Sequence, residues 1–194
     1  PSDALRTAVA DIDEETARLN RIVTEVLDFA RPIKFDLAPA DVNAVCEAAA
    51  RAARPDAGGP DIQLRLDPSV PLANIDVERL RLTLVNVLTN ARTAVAAKEG
   101  ASSMPDAICL STAMLKSGRI LIEVRDRGAG IAAEDLGRVF DPFFTTRRTG
   151  TGLGLAISRN IIEGMGGTIG IQSRPDKGSE VRIELPVAQS FTHT

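Results

Sequence analysis

Asn86-Val87-Leu88-Thr89-Asn90-Ala91 is the stretch on which the fold turns. Its two asparagines stand four residues apart, so on a helix they share one face. Asp76 is a natural N-cap, and Leu80, Leu84, Val87, Leu88 and Ala91 form an apolar stripe, so a helix is predicted from Asp76 to about Lys98. Two amides on a largely apolar helix are costly unless satisfied. A neutral amide oxygen suits a Mg2+ ion that already holds phosphate oxygens and water. Taken alone, the pair reads more simply as two structural amides capping nearby loops.

Three segments downstream change that balance together, though none does so alone. Asp126-Arg127-Gly128-Ala129-Gly130-Ile131 directly follows a predicted strand, Ile120–Arg125. Its glycines permit tight turns and close ligand approach, and Asp126 at the strand end can accept from an exocyclic amine such as that of adenine. Gly150-Thr151-Gly152-Leu153-Gly154-Leu155 leads into a predicted helix over Gly152–Met165. Backbone N–H groups exposed at a helix N-terminus make an anion site. The spacing is neither the phosphate loop with its Lys and Ser/Thr nor a dinucleotide fingerprint, because no βαβ unit surrounds it. Between them lies Phe140-Asp141-Pro142-Phe143-Phe144-Thr145-Thr146-Arg147-Arg148, which holds half of the six phenylalanines. Phenylalanine in a loop suggests a hydrophobic plug anchoring a mobile lid, and Arg147 or Arg148 could reach a γ-phosphate. The plainer alternatives are a Gly turn, a Gly-rich helix start and a small satellite core.

Working outward, Asp41 caps a predicted helix from Val42 to about Arg54, and Ile62, Leu64 and Leu66 alternate as a strand. Ile108–Leu115 and Arg119–Arg125 form a hairpin around Lys116-Ser117-Gly118, and Thr168–Ser173 with Glu180–Leu185 form another. A short helix is expected near Glu134–Val139, and Lys34–Leu37 as a short extended piece. Helices and mostly antiparallel strands from Asp41 onward give an α+β layered architecture. Residues 3–31 read as one long helix. Leu5, Val9, Ile12, Thr16, Leu19, Val23, Val26 and Ala30 are spaced 4, 3, 4, 3, 4, 3, 4, an a/d heptad seam whose regularity suits a partner helix better than the alternative, an ordinary core-facing helix of the same domain. Asp3 would cap this helix and Pro32 would stop it.

Composition bounds the function. The 194 residues are 44% hydrophobic and only 3% aromatic, with no Trp or Tyr, so the core must be aliphatic. A net charge of −3 and the lack of an aromatic platform argue against nucleic acid as partner. Cys46 and Cys109 have no metal-like spacing and read as reduced core thiols of a cytosolic protein. No apolar run approaches the ~20 residues of a membrane span. The chain starts inside helical sequence, which suggests a piece of something longer.

In their order and spacing these segments resemble the histidine-kinase branch of the ATPase superfamily shared with gyrase, Hsp90 and MutL. The resemblance runs from about Asp76 to Pro186. Asp76 through Asn90-Ala91 looks like the asparagine box, Asp126-x-Gly128-x-Gly130 the first glycine box, Phe140 to Phe144 the phenylalanine box, and Gly150 to Leu155 the second glycine box. Gly166-Gly167, Gly178-Ser179 and Leu185-Pro186 match the closing hairpin. The short lid, Thr145 to Thr149, is most similar to nitrogen-regulation sensor kinases. The helix Leu19 to Pro32 is similar to the second helix of that family's dimerisation and phosphotransfer hairpin.

The resemblance implies a two-layer α/β sandwich of the Bergerat type over residues 33–188, preceded by a partial dimerisation helix over 1–32 and followed by a tail over 189–194. It implies ATP and Mg2+ as ligands. Asn90 would chelate the metal, with Asn86 and Arg147 as further catalytic groups. Asp126, Gly128, Gly130, Ile131, Phe140, Thr145, Thr146, Gly150, Thr151, Gly152, Leu153, Gly154 and Leu155 would line the nucleotide. It implies as partners a histidine-bearing hairpin helix and a response-regulator receiver domain, with a homodimer at full length, in the cytoplasm or on the cytoplasmic side of a membrane-bound bacterial sensor. Two departures matter. The single histidine, His193, lies in the tail, so the acceptor is expected elsewhere. Where many relatives carry a basic residue three positions after the box asparagine, this chain has Thr93. An amide at position 86 cannot act as the base that activates water in the related hydrolases. The competing expectations are an ATPase of the same superfamily and a non-catalytic nucleotide-binding scaffold.

Overall fold

The computed structural model describes residues 5–10, 12, 13, 15, 16, 19, 23, 34–54, 59–147 and 150–188. Seven strands and four α-helices follow one another from Ala38: β1 (Ala38–Ala40), α1 (Val42–Ala52), β2 (Ile62–Arg65), β3 (Ala73–Ile75), α2 (Val77–Ala96), β4 (Ile108–Met114), β5 (Arg119–Asp126), α3 (Ala133–Leu136), α4 (Gly154–Gly164), β6 (Thr168–Arg174) and β7 (Gly178–Pro186). A 3-10 turn, Ala101–Ser103, lies between α2 and β4.

Two of the three predicted caps, Asp41 and Asp76, lie among the described residues and are made. Asp41 Oδ1 accepts from Asn43 N at 2.8 Å, and Asp76 Oδ1 accepts from Arg79 N at 3.0 Å. Each satisfies an N–H that the first helical turn leaves without a partner. Asp76 Oδ2 also accepts from Asp36 N at 3.1 Å, tying the entering chain to the start of α2.

The main sheet has the order β2-β4-β5-β7-β6. β2 pairs parallel with β4, and every other neighbour is antiparallel. Alternation along the strands separates its faces. Ile108 and Leu110 of β4, Ile120, Ile122 and Val124 of β5, and Val181, Ile183 and Leu185 of β7 join the core. Leu80, Leu84, Val87, Leu88, Ala91 and Val95 of α2 meet them there, with α1 and α4 on either side of α2. The opposite face is charged: Arg125 and Arg182 each bridge Glu123 and Glu180 across β5 and β7. Helices on one face and a polar ladder on the other make a two-layer α+β sandwich.

Two short strands were not foreseen. β1 and β3 pair antiparallel, Ala38 opposite Ile75, as a separate ribbon, and Lys34–Leu37, expected to be extended, only leads into it. In the leading segment, Leu5, Val9, Ile12, Thr16, Leu19 and Val23 are helical, and the five apolar members are each more than half exposed. Asp3, Val26, Ala30 and Pro32, which complete the predicted seam and its ends, lie outside the described residues. Among the described residues no helix is long and apolar enough to cross a membrane.

Candidate nucleotide site

One helix, α2, forms the common wall. Three of its positions at i, i+4 spacing, Asn86, Asn90 and Ala94, each meet a different part of the site, and Lys98, two residues past its end, joins Ala94.

Asn86 faces the start of α4. Its Nδ2 donates to Ser158 Oγ at 3.0 Å, and that hydroxyl donates to Gly154 O at 2.8 Å. Helix α4 begins behind Leu153, which supplies no capping side chain. Its opening N–H groups therefore offer the electropositive end of a helix dipole to an anion. Leu153 is fully buried and anchors this end, while its N–H donates to Thr151 Oγ1 at 3.3 Å. Leu155 is half-buried against the core.

Asn90 meets the lid. Arg147 Nη1 donates to Asn90 Oδ1 at 2.9 Å, and Nη2 donates to the Asn90 carbonyl at 3.1 Å. Thr145 Oγ1 accepts from Arg147 N at 3.1 Å, which curls the loop toward α2. Thr146 is exposed beside it. The neck of the lid is tight. A Cβ at Gly152 would lie 2.5 Å from the Phe143 carbonyl carbon, and Gly152 has φ +72°. Phe143 itself has φ 65°, a rare conformation for a bulky residue. Only part of the expected phenylalanine plug forms. Phe140 is buried, with the Arg159 guanidinium 4.2 Å from its ring centre, whereas Phe143 is 63% exposed. Phe144 stacks under Arg138 at 4.4 Å. Arg148 and Thr149 lie outside the described residues.

Ala94 and Lys98 hold the first glycine loop. Ala129 N donates to Ala94 O at 3.1 Å, and a Cβ at Gly128 would lie 2.5 Å from the Ala94 carbonyl carbon. Lys98 Nζ donates to Arg127 O at 3.2 Å and to Asp176 O at 2.8 Å, joining α2 to both the loop and the β6–β7 turn. Asp126, half-buried at the end of β5, accepts at Oδ1 from Gly128 N at 2.8 Å and from Ser179 N at 3.2 Å. Burial pushes its carboxyl above the usual aspartate value, opposed by those two N–H groups and by the charges of Arg147 and Lys98. Ile131 N donates to Ser173 Oγ at 2.9 Å, and a Cβ at Gly130 would lie 2.0 Å from Arg174 O. The β6–β7 hairpin thus clamps the loop.

All three downstream segments therefore converge on α2. Lys98, Ser158, Ser173 and Ser179 complete the arrangement; of these only Ser179 stood out in the sequence, as part of the closing hairpin and with no role in the site. Ser158 had a legible signal, a lone hydroxyl one turn after Gly154 on the apolar face of its helix, and Lys98 continues the four-residue stripe of Asn86 and Asn90. Thr93 turns back on its own helix, donating to Thr89 O at 2.9 Å, and makes no cationic contribution. Among the described residues no group of three or more His, Cys, Asp or Glu could hold a metal ion.

The family described as "Histidine kinase-, DNA gyrase B-, and HSP90-like ATPase" matches residues 75–189. Sensor histidine kinase ZraS of Escherichia coli K12 is 38% identical over 176 residues, covering 90% of this chain and 36% of that protein. The signal transduction histidine-protein kinase AtoS of the same strain is 32% identical over 181 residues, covering 90% of this chain and 28% of AtoS. The crystal structure of full-length ShkA in complex with AMPPNP superposes with a TM-score of 0.79 at 30% identity, covering 95% of this chain and 39% of ShkA. The chain thus spans about a third of the length of the curated relatives it matches.

Proposed function

The chain belongs to the histidine kinase-, DNA gyrase B- and HSP90-like ATPase family, and from that premise we propose that it binds Mg-ATP and donates the γ-phosphate to a histidine outside its 194 residues. The Bergerat-type sandwich and the histidine-kinase relatives supply the class of the domain. The observation that carries the reading is the convergence on α2: Gly154 at Asn86, the lid at Asn90, and the first glycine loop at Ala94, with Lys98 just past the helix end.

In this reading residues 33–188 are the ATP-binding unit. Asp126 uses its Oδ1 to hold the loop, which leaves the second carboxylate oxygen for the exocyclic amine of adenine. Gly128, Gly130 and Ile131 form the adenine wall. Gly150, Thr151, Gly152 and the opening N–H groups of α4 take the phosphates, while Thr145, Thr146 and Arg147 fold over them. Phe140 anchors the lid from below. Asn90 suits Mg2+ because its Oδ1 already accepts from a cation, the guanidinium of Arg147. When bound, the metal would neutralise phosphate charge as the phosphoryl group leaves. Asn86 holds α4 in place through Ser158 and offers no carboxylate to activate water, which favours transfer over hydrolysis.

The acceptor would be a histidine-bearing hairpin helix, and a response-regulator receiver domain would take the phosphoryl group next. The exposed seam from Leu5 to Val23 suits dimerisation through such a hairpin in a longer chain, in the cytoplasm. Mixing this chain with γ-labelled ATP and a separate histidine-bearing hairpin should give acid-labile label on the hairpin. Steady Mg2+-dependent phosphate release without such label would point instead to an ATPase. Nucleotide binding with neither outcome would point to a scaffold.

A further inference from the structure

The nucleotide cleft already contains a cation placed on the proposed metal ligand. Arg147 forks across Asn90, one nitrogen on Oδ1 at 2.9 Å and the other on the main-chain carbonyl at 3.1 Å. The loop is built to hold this pose. Thr145 Oγ1 accepts from Arg147 N at 3.1 Å, and Gly150 N donates to Arg147 O at 3.3 Å. Gly150 has no side chain because a Cβ there would lie 2.5 Å from Thr145 Oγ1. The carboxylate of Asp126 adds a favourable charge for the guanidinium.

A guanidinium and a divalent cation repel one another and would compete for the same amide oxygen. We propose that Arg147 is a specificity-determining residue that favours ATP over ADP by contesting Asn90 Oδ1 with Mg2+; this rests on the Mg-nucleotide reading above. Loading either Mg-nucleotide expels the guanidinium from Asn90. With ATP, the displaced side chain gains the γ-phosphate, a stronger partner than an amide because both groups are charged. With ADP it gains only water. The displacement is therefore offset for ATP and opposed for ADP, and the same arginine changes sign between the two ligands. A plain phosphate-binding arginine would help ATP and leave ADP untouched.

The test is isothermal titration of this chain and its Arg147→Ala variant with ADP and with AMPPNP, in Mg2+ and in EDTA. Two hydrogen bonds from a charged donor are removed, so the variant should bind Mg-ADP about tenfold tighter. It should bind Mg-AMPPNP no tighter than the unaltered chain does, so the preference for the triphosphate falls. In EDTA nothing contests Asn90, and the ADP affinities of the two proteins should agree, which also shows that the variant is folded. Arg147→Lys keeps the charge without the fork and should lie between. An unchanged or weaker Mg-ADP affinity in Arg147→Ala, or a gain that persists in EDTA, overturns the competition while leaving the nucleotide site intact. Failure of the unaltered chain to bind either nucleotide overturns the site itself and the competition with it.

Discussion

Gly154 and Asn86 touch across two helices: a Cβ on Gly154 would lie 2.6 Å from Asn86 Oδ1 and 3.0 Å from its Nδ2. The glycine is fixed by the amide it faces, because Asn86 is already engaged with Ser158. Gly154→Ala should push that amide off Ser158 and shift the opening of α4. The expected cost is about 1–3 kcal/mol in urea unfolding, with weaker nucleotide binding. In a double-mutant cycle the same change should cost less on an Asn86→Ala background, where the obstruction is gone. Strictly additive losses would show that the two groups do not meet.

Asp126→Asn should abolish most adenine recognition. An amide has one oxygen. If that oxygen accepts from Gly128 and Ser179, the NH2 group faces the donor amine of the base. A loss of about 2–3 kcal/mol in ADP affinity is expected, with the unfolding midpoint little changed. Affinity equal to that of the unaltered chain would remove Asp126 from the adenine contact.

The same carboxyl sets a pH dependence. Its folded pKa is raised by burial from the ordinary 3.8. As pH falls, nucleotide affinity should therefore drop earlier than an exposed aspartate would dictate. The effect on the fold has the opposite sign. A raised carboxyl pKa stabilises the folded chain below the unfolded value, and that contribution is lost as pH rises through the folded value. Lys98→Met removes one of the charges opposing the rise and should move the acid limb of the binding profile to higher pH. Lys98→Arg should largely restore it.

Gly178 is the least replaceable glycine of the clamp. A Cβ there would lie 1.9 Å from Asp126 O, and its φ is +82°. Steric overlap and left-handed strain both oppose Gly178→Ala, so a loss of roughly 3 kcal/mol is expected in chemical denaturation. A loss below 1 kcal/mol, on the scale of an exposed site, would show that the hairpin does not press on the loop.

The two thiols should differ. Cys46 is fully buried and pushed from 9.0 up to about 12, first by desolvation and then by Asp41 and Glu47. Cys109, expected in the core, is only half-buried at the β2–β4 edge of the sheet, and desolvation raises its thiol as well. Iodoacetamide at neutral pH should modify Cys109 slowly and Cys46 only on unfolding. Above pH 9 the unfolded chain releases the Cys46 proton that the folded chain keeps, so stability should fall between pH 9 and 12.

What the sequence made legible was local. The caps Asp41 and Asp76, the face shared by Asn86 and Asn90, and the alternation in β4 through β7 depend on neighbours a few residues away. The parallel pairing of β2 with β4 and the ribbon of β1 with β3 depend on strands tens of residues apart. The ribbon's strands have three residues each, too few for any period to show. The same reason hid the clamp. Lys98, Ser173 and Ser179 act only because the β6–β7 turn returns to Asp126, some fifty residues after it leaves. Arg147 was recognised as a cation of the lid, yet its resting partner, Asn90, is set by the curl at Thr145, which no spacing reveals.

The stripe on α2 has a further consequence for how such a chain can change over time. Asn86, Asn90 and Ala94 hold three separate pieces of the cleft in register, like graduations on a rod. Inserting or deleting one residue between any two of them would turn the remainder by about 100° and shift it by about 1.5 Å. Everything beyond the insertion would then face the wrong piece. Substitutions along this helix can accumulate one at a time, but its length between Asn86 and Ala94 cannot drift, so length variation among descendants of this chain should collect in the lid and the outer turns.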